Sequence, residues 1–167
     1  MVSKKVYLSL GSNLGERQAN LKRALDALEQ DQIRITARSS IYETEPQDVL
    51  AQPWFLNLVV ECETRCFPLQ LLGKLQRIER ELGRVRDGAI PKGPRVIDLD
   101  ILLFGSISMK TPRLVIPHAR MLERRFVLEP LIEVAPEIKH PVTKEPLCRL
   151  LGKVTGQRLR KMTGVTM

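Results

Sequence analysis

Two carboxylates interrupt an otherwise apolar run, Gly93-Pro94-Arg95-Val96-Ile97-Asp98-Leu99-Asp100-Ile101-Leu102-Leu103-Phe104. A continuous stretch of Ile, Val and Leu reads as a β-strand. Successive strand residues point to opposite faces, so Asp98 and Asp100 share one face, roughly 7 Å apart. That spacing is too wide for one shared proton and suits the grip of a cation or a pair of cations. Paired anions in an apolar strand are costly unless something positive neutralises them. Arg95 can do so in part. Mg²⁺ does so better, because it takes hard oxygens, one or two carboxylates and phosphate for the rest. The alternative is two solvated charges at the strand's exposed end.

Phosphate has candidate holders next to this pair. Arg84, Arg86, Lys92 and Arg95 lie on or beside the Gly- and Pro-rich stretch 83–94, whose length without periodicity marks a functional loop. Arginine grips phosphate bidentately and stabilises charge developing on it. The chain shows no Ser-His-Asp or Cys-His arrangement, so covalent acyl chemistry has no support. His118 is the one candidate general base, and contact with phosphate suits it better. Phosphoryl transfer fits this inventory, because the protein's share of that work is positioning and electrostatics. The residues alone lead to a Mg-dependent enzyme acting on a nucleotide or polyphosphate.

These groups need a scaffold. Residues 4–10 alternate Val6, Leu8 and Leu10 against Tyr7 and Ser9, the pattern of a strand. Gly11-Ser12-Asn13-Leu14-Gly15 ends it; Asn13 can cap the next helix, with Glu16 completing a capping box. Leu21, Ala24, Leu25 and Leu28 then recur at helical spacing over residues 15–30. A glycine turn before a helix can bind phosphate, but the P-loop and GxGxxG patterns are both missing. Residues 33–44 alternate again and predict one strand; 45–53 read as a loop. Residues 54–64 predict a third strand with Leu56, Leu58, Val60 and Cys62 inward. Phe55 and Asn57 share its other face, where they could stack on and hydrogen-bond a flat heterocycle or simply pack across strands. Residues 68–82 predict a helix buried through Leu71, Leu75, Ile78 and Leu82, with Pro68 in its first turn, Gly83 past its end, and Gln76 and Glu79 on the opposite flank.

Beyond the Asp strand, residues 112–117 read as extended and 120–125 as a basic turn. Residues 126–134 predict a short helix, 140–146 a proline-rich turn, and 147–167 a weakly patterned tail with its last residues frayed. The order strand-helix-strand-strand-helix-strand is the split βαβ, ferredoxin-like order. It predicts an α+β fold: a mostly antiparallel sheet with helices on one face and the other face free for a ligand. The core spans about 4–105 and a C-terminal extension about 106–167.

The chain has 167 residues, a formal net charge of +8 and three cysteines. One domain with a real core is expected. The odd cysteine number gives no disulfide framework, so free, buried or half-buried thiols in a reducing cytoplasm are expected. No apolar run approaches the roughly 20 residues of a membrane span, and no signal-peptide pattern opens the chain. The positive charge attracts anions, and much of it flanks the Asp pair.

One set of motifs is specific as a set. It comprises Gly11-Ser12-Asn13-Leu14-Gly15, Ser40-Ile41-Tyr42-Glu43-Thr44, Phe55-Leu56-Asn57 and Gln76-Arg77-Ile78-Glu79. Gly83-Arg84-Val85-Arg86, Gly93-Pro94-Arg95 through Leu103, Pro117-His118 and Arg124-Arg125-Phe126 follow in order. In these residues the chain resembles the 6-hydroxymethyl-7,8-dihydropterin pyrophosphokinases of folate biosynthesis, over nearly its whole length. The resemblance implies transfer of pyrophosphate from ATP to the pterin's hydroxymethyl group, with release of AMP. It implies that Asp98 and Asp100 hold two Mg²⁺ and that Arg84 and Arg95 stabilise the transferring group. It assigns Gln76, Glu79, Arg86, Ile101, Arg113, His118 and Arg124 to the nucleotide. Phe55 and Phe126 would sandwich the pterin, with Thr44 and Asn57 on its edge. Loops 45–53 and 83–94 would close over the substrates and exclude water.

Some positions depart from the family pattern. Lys92 stands where many members carry Trp, Pro91 where a basic residue is usual, Val115 for a common threonine, and Ala119 for a common aromatic. The 45–53 loop opens with Glu45-Pro46-Gln47, more polar than in some members. These departures bear on loop closure and nucleotide affinity. Members are sometimes fused to neighbouring folate enzymes; this length fits the single enzyme, expected as a cytoplasmic monomer. An RNA-binding module shares the element order, but aromatics are 4% of the chain and no RNP-like cluster is seen. A metal-dependent phosphodiesterase would need further acidic or His ligands, and the neighbourhood is basic. No nucleic-acid or membrane partner is expected.

Overall fold

Alternating apolar residues, Val6, Leu8 and Leu10, drive the first strand, β1 (Lys4–Ser12), into the middle of a sheet. The computed structural model describes residues 2–85 and 92–165. After β1 come α1 (Arg17–Gln30), β2 (Arg34–Arg38), β3 (Tyr42–Thr44), β4 (Phe55–Thr64), α2 (Pro68–Glu81) and β5 (Asp98–Phe104). A small β6 (Met109–Lys110) and β7 (Val115–Ile116) pair follows, then a 3₁₀ turn (Met121–Glu123), α3 (Arg125–Val134), α4 (Leu147–Leu151) and β8 (Leu159–Lys161). The main sheet runs β5-β1-β4-β3-β8, with β2 also on β4. All these pairings are antiparallel. With β2 and β3 taken as halves of one strand, this is the expected ferredoxin-like α+β sheet.

Four expectations are corrected. Residues 33–44 do not form one strand. The Ser39 backbone N–H donates to Val59 O at 2.9 Å and its Oγ accepts from the Val59 N–H at 2.9 Å. That side chain enters the ladder and separates β2 from β3. The weakly patterned tail holds a strand that the sequence did not announce: β8 joins the sheet beside β3, with Thr44 opposite Leu159 and Tyr42 opposite Lys161. Asn13 does not cap α1, whose N-cap is Glu16 without a side-chain cap bond. The turn is fastened instead by Asn20, whose Nδ2 donates to Ser12 Oγ and Leu14 O. Finally, the two core helices lie on one face as expected, but the other face is not left free. Leu21, Leu25, Leu28, Leu71, Leu75 and Ile78 of α1 and α2 pack on one side of the sheet with Leu8, Leu10 and Leu58. Val127, Leu128 and Leu131 of α3, with Leu147 of α4, pack on the other against Tyr7, Val59 and Leu102.

α3 covers only part of its face. Tyr42 Oη donates to Glu133 at 2.5 Å and the Ser40 N–H to the same carboxylate at 2.9 Å, tying the helix to β3. The end of the sheet carrying Phe55, Thr44 and Asp98 is left to the 45–54 loop and the N-terminus of α3. The cysteines are free: Cys62 buried and Cys66 half-buried as expected, Cys148 exposed. No helix among the described residues is long and apolar enough to cross a membrane.

Candidate active site

The strand registers put the chemistry on one face. Gly11 of β1 lies opposite Asn57 of β4 on one side and Asp98 of β5 on the other. Ser9 lies opposite Asp100, and Thr44 opposite Phe55. A Cβ at Gly11 would stand 2.5 Å from Asn57 Oδ1, so the missing side chain makes room for that amide. Asn57 Nδ2 donates to Thr44 Oγ1 at 2.6 Å, and both residues are buried.

One cleft gathers Thr44, Phe55, Asn57, Arg95, Asp98, Arg124 and Phe126. All seven come from the sequence-expected set. Arg95 stacks its guanidinium 5.0 Å from the Phe55 ring centre, and Arg124 lies 5.5 Å from that of Phe126. The free volume is about 40 Å³, far below the roughly 300 Å³ of small-molecule pockets. The arginines and the 45–54 loop therefore fill the space between the rings, and a flat ligand enters only as they move.

Asp98 is gripped from two sides. Arg84 Nη1 donates to its Oδ1 at 2.7 Å and to the Glu79 carboxylate as well. Arg95 Nε is buried and lies 3.4 Å from Asp98 Oδ2, an ion pair without hydrogen-bond geometry. Burial pushes the Asp98 carboxyl up, but Arg95 and Arg84 outweigh it and hold it below the usual range. Asp100 goes the other way: burial, and then the Asp98 charge, push it up to about 7. A divalent cation fits these donors, being hard-oxygen seeking and able to relieve that repulsion. No group of three His, Cys, Asp or Glu gathers among the described residues, so water and phosphate would complete its shell.

The remaining expected residues separate. Glu79 is buried and reaches the site through Arg84, rather than lying on the solvent flank. Gln76 is half-buried on α2 and does not line the cleft. Ile101 points into the core with α2, on the sheet face opposite the Asp pair. His118 lines a neighbouring depression with Lys110 and Val115, and its Nδ1 accepts from the Arg120 N–H at 3.1 Å. Burial, with Arg124 behind it, lowers its pKa to about 4. Arg113 is exposed on the turn between β6 and β7. Arg86 lies outside the described residues.

Sequence reasoning missed two contributors. Asn13 is buried; its Nδ2 donates to Gln52 Oε1 and Pro53 O, both at 2.9 Å, and its Oδ1 accepts from the Arg95 N–H at 2.8 Å. It thereby joins the glycine turn, the 45–54 loop and the Arg95 segment. Gln52 extends the link, donating to Lys92 O at 3.0 Å. The only signal for Asn13 was its place in the glycine turn. A wider basic groove with Arg34, Arg65, Lys74 and Arg77 lies at the opposite end of the sheet and holds none of the expected site residues.

Residues 7–136 match the family model described as 7,8-dihydro-6-hydroxymethylpterin-pyrophosphokinase. Over 138 residues the chain is 45% identical to the 2-amino-4-hydroxy-6-hydroxymethyldihydropteridine pyrophosphokinase of Bacillus subtilis, covering 82% of this chain and 81% of that one. It is 43% identical over 159 residues to the folic acid synthesis protein fol1 of Schizosaccharomyces pombe. That match covers 95% of this chain and 21% of the fungal protein, so the chain spans about a fifth of that relative. The wild-type HPPK-DHPS of Plasmodium falciparum matches the fold at a TM-score of 0.72 and 18% identity, over 91% of this chain and 45% of that one. The chain belongs to the 7,8-dihydro-6-hydroxymethylpterin-pyrophosphokinase family.

Proposed function

We propose that this chain transfers pyrophosphate from ATP to the hydroxymethyl oxygen of 6-hydroxymethyl-7,8-dihydropterin. The hydroxymethyl oxygen gives up its proton to solvent and bonds to the β-phosphorus, the bond from that phosphorus to the α–β bridging oxygen breaks, and AMP leaves with the bridging oxygen. The supporting observation is the single cleft in which two aromatic rings, a buried amide and hydroxyl, two arginines and Asp98 meet. Phe55 and Phe126 take the faces of the pterin and Asn57 and Thr44 its polar edge. That division suits a ligand with an apolar π-surface and a hydrogen-bonding rim.

Arg95 and Arg84 hold the phosphoryl oxygens and favour the charge that develops on them. Glu79 and Asp98 keep Arg84 pointed at the site. Asp98 and Asp100 would hold Mg²⁺, two ions in this reading, which would supply positive charge beside the transferring group. Gln76, Arg86, Arg113, His118 and Arg124 belong to the nucleotide side, which Ile101 can join only through its backbone, its side chain lying in the core. His118 is neutral near pH 7 and so acts as a hydrogen-bonding contact rather than a cation. Movement of the 45–54 loop opens the space between the rings and then shuts out water, a competing acceptor. The chain works as one domain, core 4–105 and extension 106–167, as a cytoplasmic monomer. AMP formation from ATP that requires the pterin tests the reading; AMP formed equally without pterin would contradict it.

A further inference from the structure

The C-terminal segment lies beyond residue 136, where the family-model match ends, yet it reaches both walls of the cleft. Gln157 Nε2 donates to Glu123 O at 2.7 Å and its Oε1 accepts from the Arg125 N–H at 2.8 Å. The Arg125 N–H opens α3 and has no partner within the helix. Gln157 thus caps α3 from outside and fixes the chain on both sides of Arg124. Phe126 follows Arg125.

Arg158 holds the opposite wall. Its backbone N–H donates to Glu45 Oε1 at 2.7 Å, and its carbonyl accepts from the Glu45 N–H at 3.0 Å. Its guanidinium donates to Glu45 Oε2 at 3.1 Å and lies 5.2 Å from the Trp54 ring centre. Glu45 starts the 45–54 loop and Trp54 ends it; Phe55 is the next residue. The Arg158 side chain is 75% exposed, so its ion pair alone is worth little. The two backbone bonds and the β8 pairing carry more of the hold.

The geometry points to Gln157 and Arg158 as positioning residues that set the separation of Phe55 and Phe126 across the cleft. Two consecutive residues clamp the segments from which the two rings project. The space between the rings is the space a flat heterocycle takes, so loosening the clamp weakens capture of the pterin before it affects the chemistry. The inference rests on the proposed pterin site.

The test uses the full chain with Gln157→Ala, Arg158→Ala and Gln157→Glu, the last keeping the acceptor for the Arg125 N–H. Binding of 6-hydroxymethyl-7,8-dihydropterin and of ATP is titrated separately, and turnover is measured at saturating substrates. Gln157→Ala raises the pterin Kd by about tenfold and Arg158→Ala, which keeps the backbone bonds, by about threefold, with kcat and ATP binding within about twofold. Gln157→Glu restores most of the pterin affinity. Melting curves establish that each variant is folded. Should Gln157→Ala not fold, Gln157→Glu and Arg158→Lys decide the matter, each losing part of the hold and a matching part of the pterin affinity. Pterin affinity unchanged in the folded variants, or lost in step with ATP affinity, overturns the inference alone. Failure of the unaltered chain to bind pterin overturns the proposed function and this inference with it.

Discussion

Asp98 and Asp100 stand on one face of β5 and are held in opposite states. The Asp98 carboxyl stays low because Arg95 and Arg84 outweigh its burial; that of Asp100 rises to about 7 through burial and the Asp98 charge. On the proposed reading the pair would offer an arriving cation one ionised carboxylate and one that its positive charge would ionise fully.

Its pH signature follows. Asp100 titrates near 3.9 in the unfolded chain and near 7 in the folded one. A raised folded pKa gives stability that is fully present below about pH 4 and is lost as pH climbs toward about 7. In metal-free protein, Asp100→Asn should therefore gain stability over the unaltered chain as pH rises through that window. Melting temperatures at a series of pH values check this; a constant difference would contradict the raised Asp100.

The same substitution should abolish function. Asp98→Ala or Asp100→Asn is expected to lower pyrophosphoryl transfer by about three orders of magnitude or more with the fold retained. Steady-state turnover across a Mg²⁺ titration measures it. Near-normal turnover by either variant would remove the pair from the metal site.

Arg84→Ala should separate chemistry from capture. Arg84 touches Asp98 and Glu79 but does not line the ring-walled cleft. Its loss is expected to reduce kcat by about 10²–10³-fold, the scale for one transition-state donor. The pterin Kd should move by less than about twofold. A pure binding defect would contradict the role given to Arg84.

Gly11→Ala tests the ring-walled cleft from beneath. The added Cβ would meet Asn57 Oδ1 at 2.5 Å, forcing that amide off Thr44. Pterin affinity should fall by about tenfold, comparable to loss of one good hydrogen bond. Phe126→Ala should weaken pterin binding at least as much. Unchanged pterin affinity in both would take the pterin out of this cleft.

His118 predicts an acid limb. Its folded pKa is about 4 against about 6.5 unfolded. A depressed folded pKa means stability present above about pH 6.5 and lost as pH falls toward about 4, by about 3 kcal/mol at most. His118→Asn should flatten that part of the stability–pH curve; an unaltered curve would contradict the burial of a neutral imidazole.

Much of this was readable from local pattern. The alternation in β1 and β4 and the leucine stripe of α2 gave the sheet and its helices, because burial on one face writes a period into the sequence. The Asp pair and Phe55 with Asn57 declared their faces by the same period. What stayed hidden depends on partners distant in sequence. β8 carries Arg160 and Lys161 and little apolar pattern, and its place comes from pairing with β3. Asn13 looked like a helix cap because its real partner, Arg95, is 82 residues away. Ser39 broke a strand through a side-chain bond to Val59, which no alternation records. Glu79 looked like a solvent-flank residue until Arg84 folded back upon it.

The most direct measurement is ³¹P NMR of the purified chain incubated with ATP, Mg²⁺ and 6-hydroxymethyl-7,8-dihydropterin. The account predicts AMP and a pterin carrying two phosphoryl groups, in equal amounts, and neither when the pterin is withheld. ADP with a singly phosphorylated pterin, or no reaction at all, would contradict it.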